Sequence, residues 1–335
     1  MQETRTGVTT MRAVVQERYG EAGEVMRAAR LPRPTPGGGE VLVRVRAAGV
    51  DRSVWHLTTG LPMPVRLAGY GVRGPKTPVR GSDLAGIVEE LGPGVEGVKI
   101  GDAVFGAGIG AYAEFARLPV AKLAPMPAGL SFEEAASLPI SGLTALQAVR
   151  DHAHVTQGTS VLVLGASGGV GVFATQIARA YGGVVTGVCG PTKADIARAA
   201  GAEHVLDHTR DAITGRFDVV IDIGGARTLR TLRRMLTPRG TLVVVGAETG
   251  GRLVGGVDRQ LRAMLLSPFV SQRLTMMFSS ENAADLRVLA EMAEAGTVRP
   301  ILDRVFPLED APAAIDDLAA GRARGKHVVR VADAP

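Results

Sequence analysis

The sequence predicts an α/β protein in two parts, a β-rich unit and a doubly wound parallel sheet. Three observations carry that expectation. Short apolar runs broken by Gly and Pro fill residues 11–123, and strand–helix alternation takes over from about residue 160. A glycine-rich turn, GASGGVG at residues 165–171, lies between the first strand and the first helix of that alternation. At roughly 150 residues per domain, 335 residues allow about two cores.

In chain order, RAVVQ, EVLVRVRAAGV, SDLAGIVEELG and the pair around AYAEFARL read as short strands of a compact, barrel-like unit. Residues 61–80 carry four prolines and no acid, which predicts a long surface loop of the kind that serves as a lid. Beyond residue 127, Glu133 and Glu134 open a helical pattern, and a second helix is expected over 142–150. Strand SVLVL, the glycine turn, a helix over 170–181, strand VVTGV, a helix over 194–200 and strand EHVLD follow. Then come FDVVID, a helix over 226–235 and TLVVVG. Val170, Phe173, Ala174, Ile177, Ala178 and Tyr181 keep i, i+3, i+4 spacing, the mark of one buried helix face. After about residue 262 come a strand-like FVSQRLTMMF, helices over 283–295 and 313–320, and a last strand, HVVRV.

Composition narrows the function classes. Apolar residues make up 46% and charged residues 21%, an ordinary globular balance. The single cysteine, Cys189, excludes an internal disulfide and a four-thiolate zinc site. The net charge is +5, but the bases are scattered, which argues against a nucleic-acid-binding arm. Residues 1–10 are polar and read as a flexible tail without an apolar leader segment. The uncharged stretch 155–178 is interrupted by Gly165, Gly168, Gly169 and Gly171, so no membrane span and a cytoplasmic location are expected.

The glycine turn carries the strongest functional signal. Gly165, Gly168, Gly169 and Gly171, with Ser167 and Val170 between them, follow a buried strand and open a helix. That context suits a dinucleotide diphosphate on free helix-terminal amides. The end of the second strand, where an acid would bind the ribose 2′-hydroxyl of NAD, holds neutral Cys189 followed by Gly190, Thr192 and Lys193. His208, after the third strand, is a further candidate contact. NADPH is therefore favoured over NADH, although Lys193 read alone suits a solvated helix start equally well.

These residues, with GVDRSVWHLTTG, RGSDLAGIVEELGPGVEGVKIGDAVFG, LPISGLTALQAV and the terminal GKHVV, resemble the medium-chain dehydrogenase/reductase superfamily. Within it the chain is similar to the zinc-independent quinone oxidoreductase branch, near the zeta-crystallin-like and reticulon-4-interacting-protein-like reductases. The resemblance implies a GroES-like substrate domain (11–127 plus 263–335), an inserted Rossmann domain (128–262), a cleft between them and a homodimer paired near residues 274–278. It implies a small-molecule electrophile as partner, a quinone or an enone; on the charge pattern and the broken apolar stretch, neither nucleic acid nor membrane is expected.

The resemblance places the catalytic zinc ligands of zinc-dependent relatives at Asp51, at Ser82 and at or beside Ile140, and the structural zinc lobe is missing. Asp51 and Asp83 alone make a poor zinc site, so no metal is expected. The resemblance places His56 where a tyrosine is common and Asp51 where an asparagine is common. His56 then reads as a hydrogen-bond donor and proton source to the developing oxyanion, or as a packing histidine beside Trp55. Asp51 reads as an orienting residue, or as the cap of a helix from Arg52. Thr144 and Gly246 match positions flanking the nicotinamide, and Asp222 and Gly225 line the neighbouring strand end. Trp55, Met63, Leu67, Tyr70 and Phe269 suggest an apolar pocket. Two alternatives stay open: a zinc-free alcohol/ketone dehydrogenase or secondary-metabolite tailoring reductase, and a non-catalytic NADPH-sensing or RNA-binding protein.

Overall fold

The computed structural model describes residues 10–246, 255 and 257–332. The expected tail therefore lies outside the described residues, save Thr10, which already begins a strand. β1 (Thr10–Gln16) and β2 (Met26–Pro32) form an antiparallel hairpin. β3 (Glu40–Val50), β4 (Asp83–Leu91), β5 (Ala103–Ala107), β6 (Phe115–Pro119) and β7 (Leu123–Pro125) build an antiparallel sheet around it.

β3 is buried on both sides, and the reason is local. Val41, Val43 and Val45 face the core of the β-rich unit, and a register shift between Val45 and Ala47 turns Ala47 into the neighbouring core. One strand thus walls two cores.

The second sheet contains β8 (Ser160–Leu164), β9 (Val184–Cys189), β10 (His204–Asp207), β11 (Phe217–Asp222), β12 (Leu236–Val244) and β13 (Arg273–Met276). Its order is β10-β9-β8-β11-β12-β13 and every pairing is parallel. The strand order reverses between β8 and β11, where open parallel sheets hold their ligands. The helix Gly169–Ala180 covers it with Val172, Phe173, Ala174 and Ile177, all fully buried, as the apolar spacing predicts.

β14 (Leu302–Pro307) and β15 (Lys326–Arg330) return to the first sheet, β15 pairing with β3. A boundary at residue 263 therefore cuts the parallel sheet, because Arg273–Met276 extends the free edge of β12 instead of joining the β-rich unit. The Ala283–Glu294 helix also stays with the nucleotide side, packing Leu286 and Leu289 into the core that holds Leu143 and Phe173.

Two further expectations shift. The helix expected over 226–235 spans Leu229–Arg234, because Thr228 caps it by accepting from the Thr231 amide at 3.2 Å. Residues 61–80 are only partly a surface loop. Helical turns run from Met63 to Tyr70, Val79 pairs with Val15, and Arg80 is fully buried, donating to Gln16 Oε1 at 2.8 Å.

Candidate active site

At the end of β8 the chain turns sharply on Gly165, whose φ is +91°, a conformation that glycine adopts without strain. The Gly165 and Ala166 amides donate to the Val188 carbonyl (2.9 and 3.0 Å), tying the turn to β9. Ser167 is buried and Val170 lines the cleft while packing on the core. Amides in the first turn of the Gly169–Ala180 helix lack intrahelical partners, an arrangement that suits an anion. A Cβ on Gly171 would lie 2.0 Å from the Gly165 carbonyl oxygen, so only glycine lets the helix start this close to the strand.

Beneath the turn runs a residue that the sequence reading did not single out. Lys326, at 1% exposure, passes under Gly169, where a Cβ would meet its Cδ at 3.0 Å. Its Nζ donates to Ser141 Oγ at 3.0 Å and stands 3.6 Å from Asp83 Oδ2. Asp83 is wholly buried and also accepts from the Ile140 amide at 2.8 Å. Burial pushes its carboxyl up to about 8, outweighing the nearby Lys326 cation. Lys326 is the basic residue of GKHVV, the only sequence signal that could have found it. A cation under a cradle of free amides fits a diphosphate.

At the far end of the turn, Cys189 is buried and burial raises its thiol pKa, making it a wall and not a nucleophile. No carboxylate ends β9. Asp207, ending the neighbouring β10, is occupied by the Thr209 amide and hydroxyl (2.9 and 2.8 Å). His208 is exposed, donates its amide to the Cys189 carbonyl, and brings Nε2 to 3.8 Å from where a Gly190 Cβ would stand. Thr192 is exposed and its carbonyl is held by Arg324. Lys193 lines the cleft but is not a loose cation. Its Nζ donates to the Gly321 and Ala323 carbonyls at 2.7 and 2.6 Å, leaving one N–H for a ligand.

The other end of the cleft, about 1140 Å³ in volume, lies between the two sheets. Thr144 lines it and spends its hydroxyl proton on the Ile140 carbonyl at 2.7 Å, so its oxygen is left to accept. Gly246 allows β11 and β12 to converge, since a Cβ there would sit 1.9 Å from the Ile223 carbonyl oxygen. Arg259 pins this corner: it donates to Asp222 Oδ2 and to the Gly246 carbonyl, both at 2.6 Å, and to the Arg227 carbonyl at 2.9 Å. Asp222 Oδ1 accepts from the Gly225 amide at 3.2 Å, and burial holds the carboxyl above its ordinary range.

Asp51 caps the Arg52–Thr59 helix, its Oδ1 accepting from the Ser53 and Val54 amides at 2.7 and 3.1 Å. Its Oδ2 is buried without a partner among the described residues. His56, on the same helix, lines the cleft, with Nδ1 2.7 Å from the Leu61 carbonyl. A carbonyl only accepts, so Nδ1 carries the proton. Burial, with Arg52 close by, lowers the ring's pKa below the ordinary histidine value. At neutral pH His56 is therefore uncharged and Nε2 is an acceptor, the reverse of the proton donor read from the sequence.

Ser82 and Ile140 line the cleft beside Asp51, and among the described residues no three His, Cys, Asp or Glu side chains converge as metal ligands. Of the five residues expected to form an apolar pocket, only Tyr70 lines the cleft. Met63, Leu67 and Phe269 are exposed, and Trp55 packs in a T-shape against His56 and under Arg52.

The chain matches an alcohol dehydrogenase GroES-like domain over residues 37–128 and a zinc-binding dehydrogenase domain over residues 200–329. It is 31% identical to the mouse mitochondrial NAD(P)H oxidoreductase RTN4IP1, over 96% of this chain and 90% of that protein. It is 33% identical to a quinone oxidoreductase of Pseudomonas aeruginosa, over 88% and 92% respectively. Among solved structures, a quinone oxidoreductase from Coxiella burnetii superposes with a TM-score of 0.82 at 27% identity, covering 97% of this chain and all of that one. The fold, the nucleotide turn and these likenesses agree: the chain is an oxidoreductase of the medium-chain dehydrogenase/reductase superfamily and belongs to its quinone oxidoreductase branch.

Proposed function

We propose that this enzyme reduces quinones or α,β-unsaturated carbonyl compounds with NADPH and without a catalytic metal. One observation carries the reading: the glycine turn, floored by Lys326, opens into the same cleft that Asp51 and His56 line. A reduced nicotinamide supplies a hydride when bound. The chain's own part is binding and orientation. First-turn amides and Lys326 would hold the diphosphate, Gly246 and Thr144 would flank the nicotinamide, and Arg259 keeps Gly246 in place.

The donor set at the zinc positions supports metal-free chemistry, because Asp51 offers a single carboxylate and neither Ser82 nor Ile140 adds imidazole or thiolate. Reduction of an isolated ketone then lacks its Lewis acid, whereas a conjugated electrophile spreads the developing charge and needs less help. Since His56 presents an acceptor, the proton that completes the reduction comes from water in the cleft.

NADPH is preferred because no carboxylate ends β9 to repel a 2′-phosphate, while Lys193, which lines the cleft, retains one N–H beyond its bonds to the Gly321 and Ala323 carbonyls. Exposed Leu265 and Phe269, on elements packed beside edge strand β13, support a homodimer, which light scattering would test. The central test is anaerobic stopped-flow mixing of the NADPH-loaded enzyme with a panel of quinones, enones and simple ketones. Oxidation of NADPH by the conjugated acceptors alone is the expected result; oxidation by none of them, or equally by simple ketones, would overturn the reading.

A further inference from the structure

Three polar side chains lining the cleft, His56, Asp51 and Thr144, present hydrogen-bond acceptors, beside hydroxyl donors such as Ser82 and Tyr70. His56 has its Nδ1 proton committed to the Leu61 carbonyl, and Nε2 has no partner among the described residues. Asp51, at 5% exposure, has one oxygen filled by its own helix and the other buried and unpartnered. Thr144 has already donated its proton to Ile140. A plain quinone or enone also offers only acceptors, so it would leave these three acceptors unsatisfied, at a cost that a buried polar group does not bear lightly.

We propose that His56 Nε2 is a specificity element that accepts a hydrogen bond from a hydroxyl group of the substrate, so that the preferred electrophiles are hydroxyl-bearing enals, enones or quinones. This rests on the reductase reading above and adds the substrate class to it. His56 acts as a positioning residue: it orients the molecule through its hydroxyl and takes no part in the transfer of hydride or proton. Asp51 Oδ2, one helical turn away on the same element, is the second acceptor, available to the same hydroxyl-bearing partner or to a cofactor ribose hydroxyl.

Matched substrates test it: a γ-hydroxy-enal against the enal of equal length, and hydroxymethyl-benzoquinone against methyl-benzoquinone. In the wild type, kcat/KM should favour the hydroxylated member by about tenfold, the worth of one good neutral hydrogen bond. His56→Phe should bring the ratio near unity by weakening only the hydroxylated member, through KM more than kcat. His56→Gln, which keeps an acceptor, should restore much of the preference. The same discrimination should appear in equilibrium binding of the two members, read by titration calorimetry with oxidised NADP present so that no turnover occurs. Equal kcat/KM for both members in the wild type, or a preference that His56→Phe leaves intact, would overturn the inference while leaving the reductase reading standing. Binding discrimination that depends on His56, without reduction of any member, would sink the reductase reading and keep the recognition element.

Discussion

Replacing Gly171 by Ala would place a methyl carbon 2.0 Å from the Gly165 carbonyl oxygen and 2.8 Å from Ala166 Cα. An unstrained C···O contact is about 3.3 Å, so the overlap is roughly 1.3 Å. Both obstacles are backbone, and neither can swing aside as a side chain would. Relief requires the start of the Gly169–Ala180 helix to draw back from β8, loosening Val172 and Phe173, which are fully buried. Overpacking of this kind costs about 2–3 kcal/mol, which in a chain of this size lowers the unfolding midpoint by roughly 3–4 °C. The retreating amides should also weaken dinucleotide binding by at least about tenfold. Gly168 is the control: its φ is −84° and the nearest atom to an added Cβ is 3.5 Å away, so Gly168→Ala should fold as the wild type does. Its methyl projects from the lip of the diphosphate cradle, so binding alone should suffer. Thermal unfolding followed by circular dichroism, with NADPH titrated by fluorescence, reads both effects. The reasoning fails if Gly171→Ala melts and binds like the wild type, or if Gly168→Ala lowers the midpoint as far as its neighbour does.

Other expectations follow from the same geometry. Arg259→Met leaves the Asp222 carboxyl buried without its cation and should cost about 3–5 kcal/mol in urea unfolding, whereas a loss under about 1 kcal/mol would deny the pair its role at the Gly246 corner. Lys193→Met should raise the Kd for NADPH by about tenfold and leave that for NADH nearly unchanged; equal losses would mean that Lys193 only staples the Gly321–Ala323 segment. Asp83 titrates near 8 in the folded chain against 3.8 for a free carboxyl, so between these values the folded state holds a proton that the unfolded state has released. Its contribution therefore makes stability fall as pH rises through that window, and Asp83→Asn should flatten the decline in urea midpoints measured from about pH 5 to about pH 9.

The sequence made the nucleotide half legible because its signals are local. Gly165–Gly171 need one another within a single turn, and the apolar stripe from Val170 to Tyr181 names its own buried face. Arg273–Met276 is too short to declare which sheet it joins, and what decides it is the open edge of β12, about thirty positions earlier. Lys326 is invisible for the same reason: a lysine in a final strand looks like a surface residue until Ser141 and Asp83 are brought to it from elsewhere. His56 was visible as a residue, but the direction of its hydrogen bonding was not, because that depends on which ring nitrogen finds the Leu61 carbonyl. Arg80 likewise sits in a polar, proline-rich stretch, and only the meeting with Gln16 explains why a guanidinium is buried there.

The floor of the diphosphate cradle has a consequence for biosynthesis. Lys326 and Ser141 lie 185 residues apart, and β15 is the last described strand to leave the ribosome. The parallel sheet can close, with its helices packed, while that strand is still inside the exit tunnel. On the role proposed for Lys326, affinity for the nucleotide matures only once β15 has zipped onto β3, so a nascent chain that already looks folded by protease resistance should remain a weak cofactor binder until then.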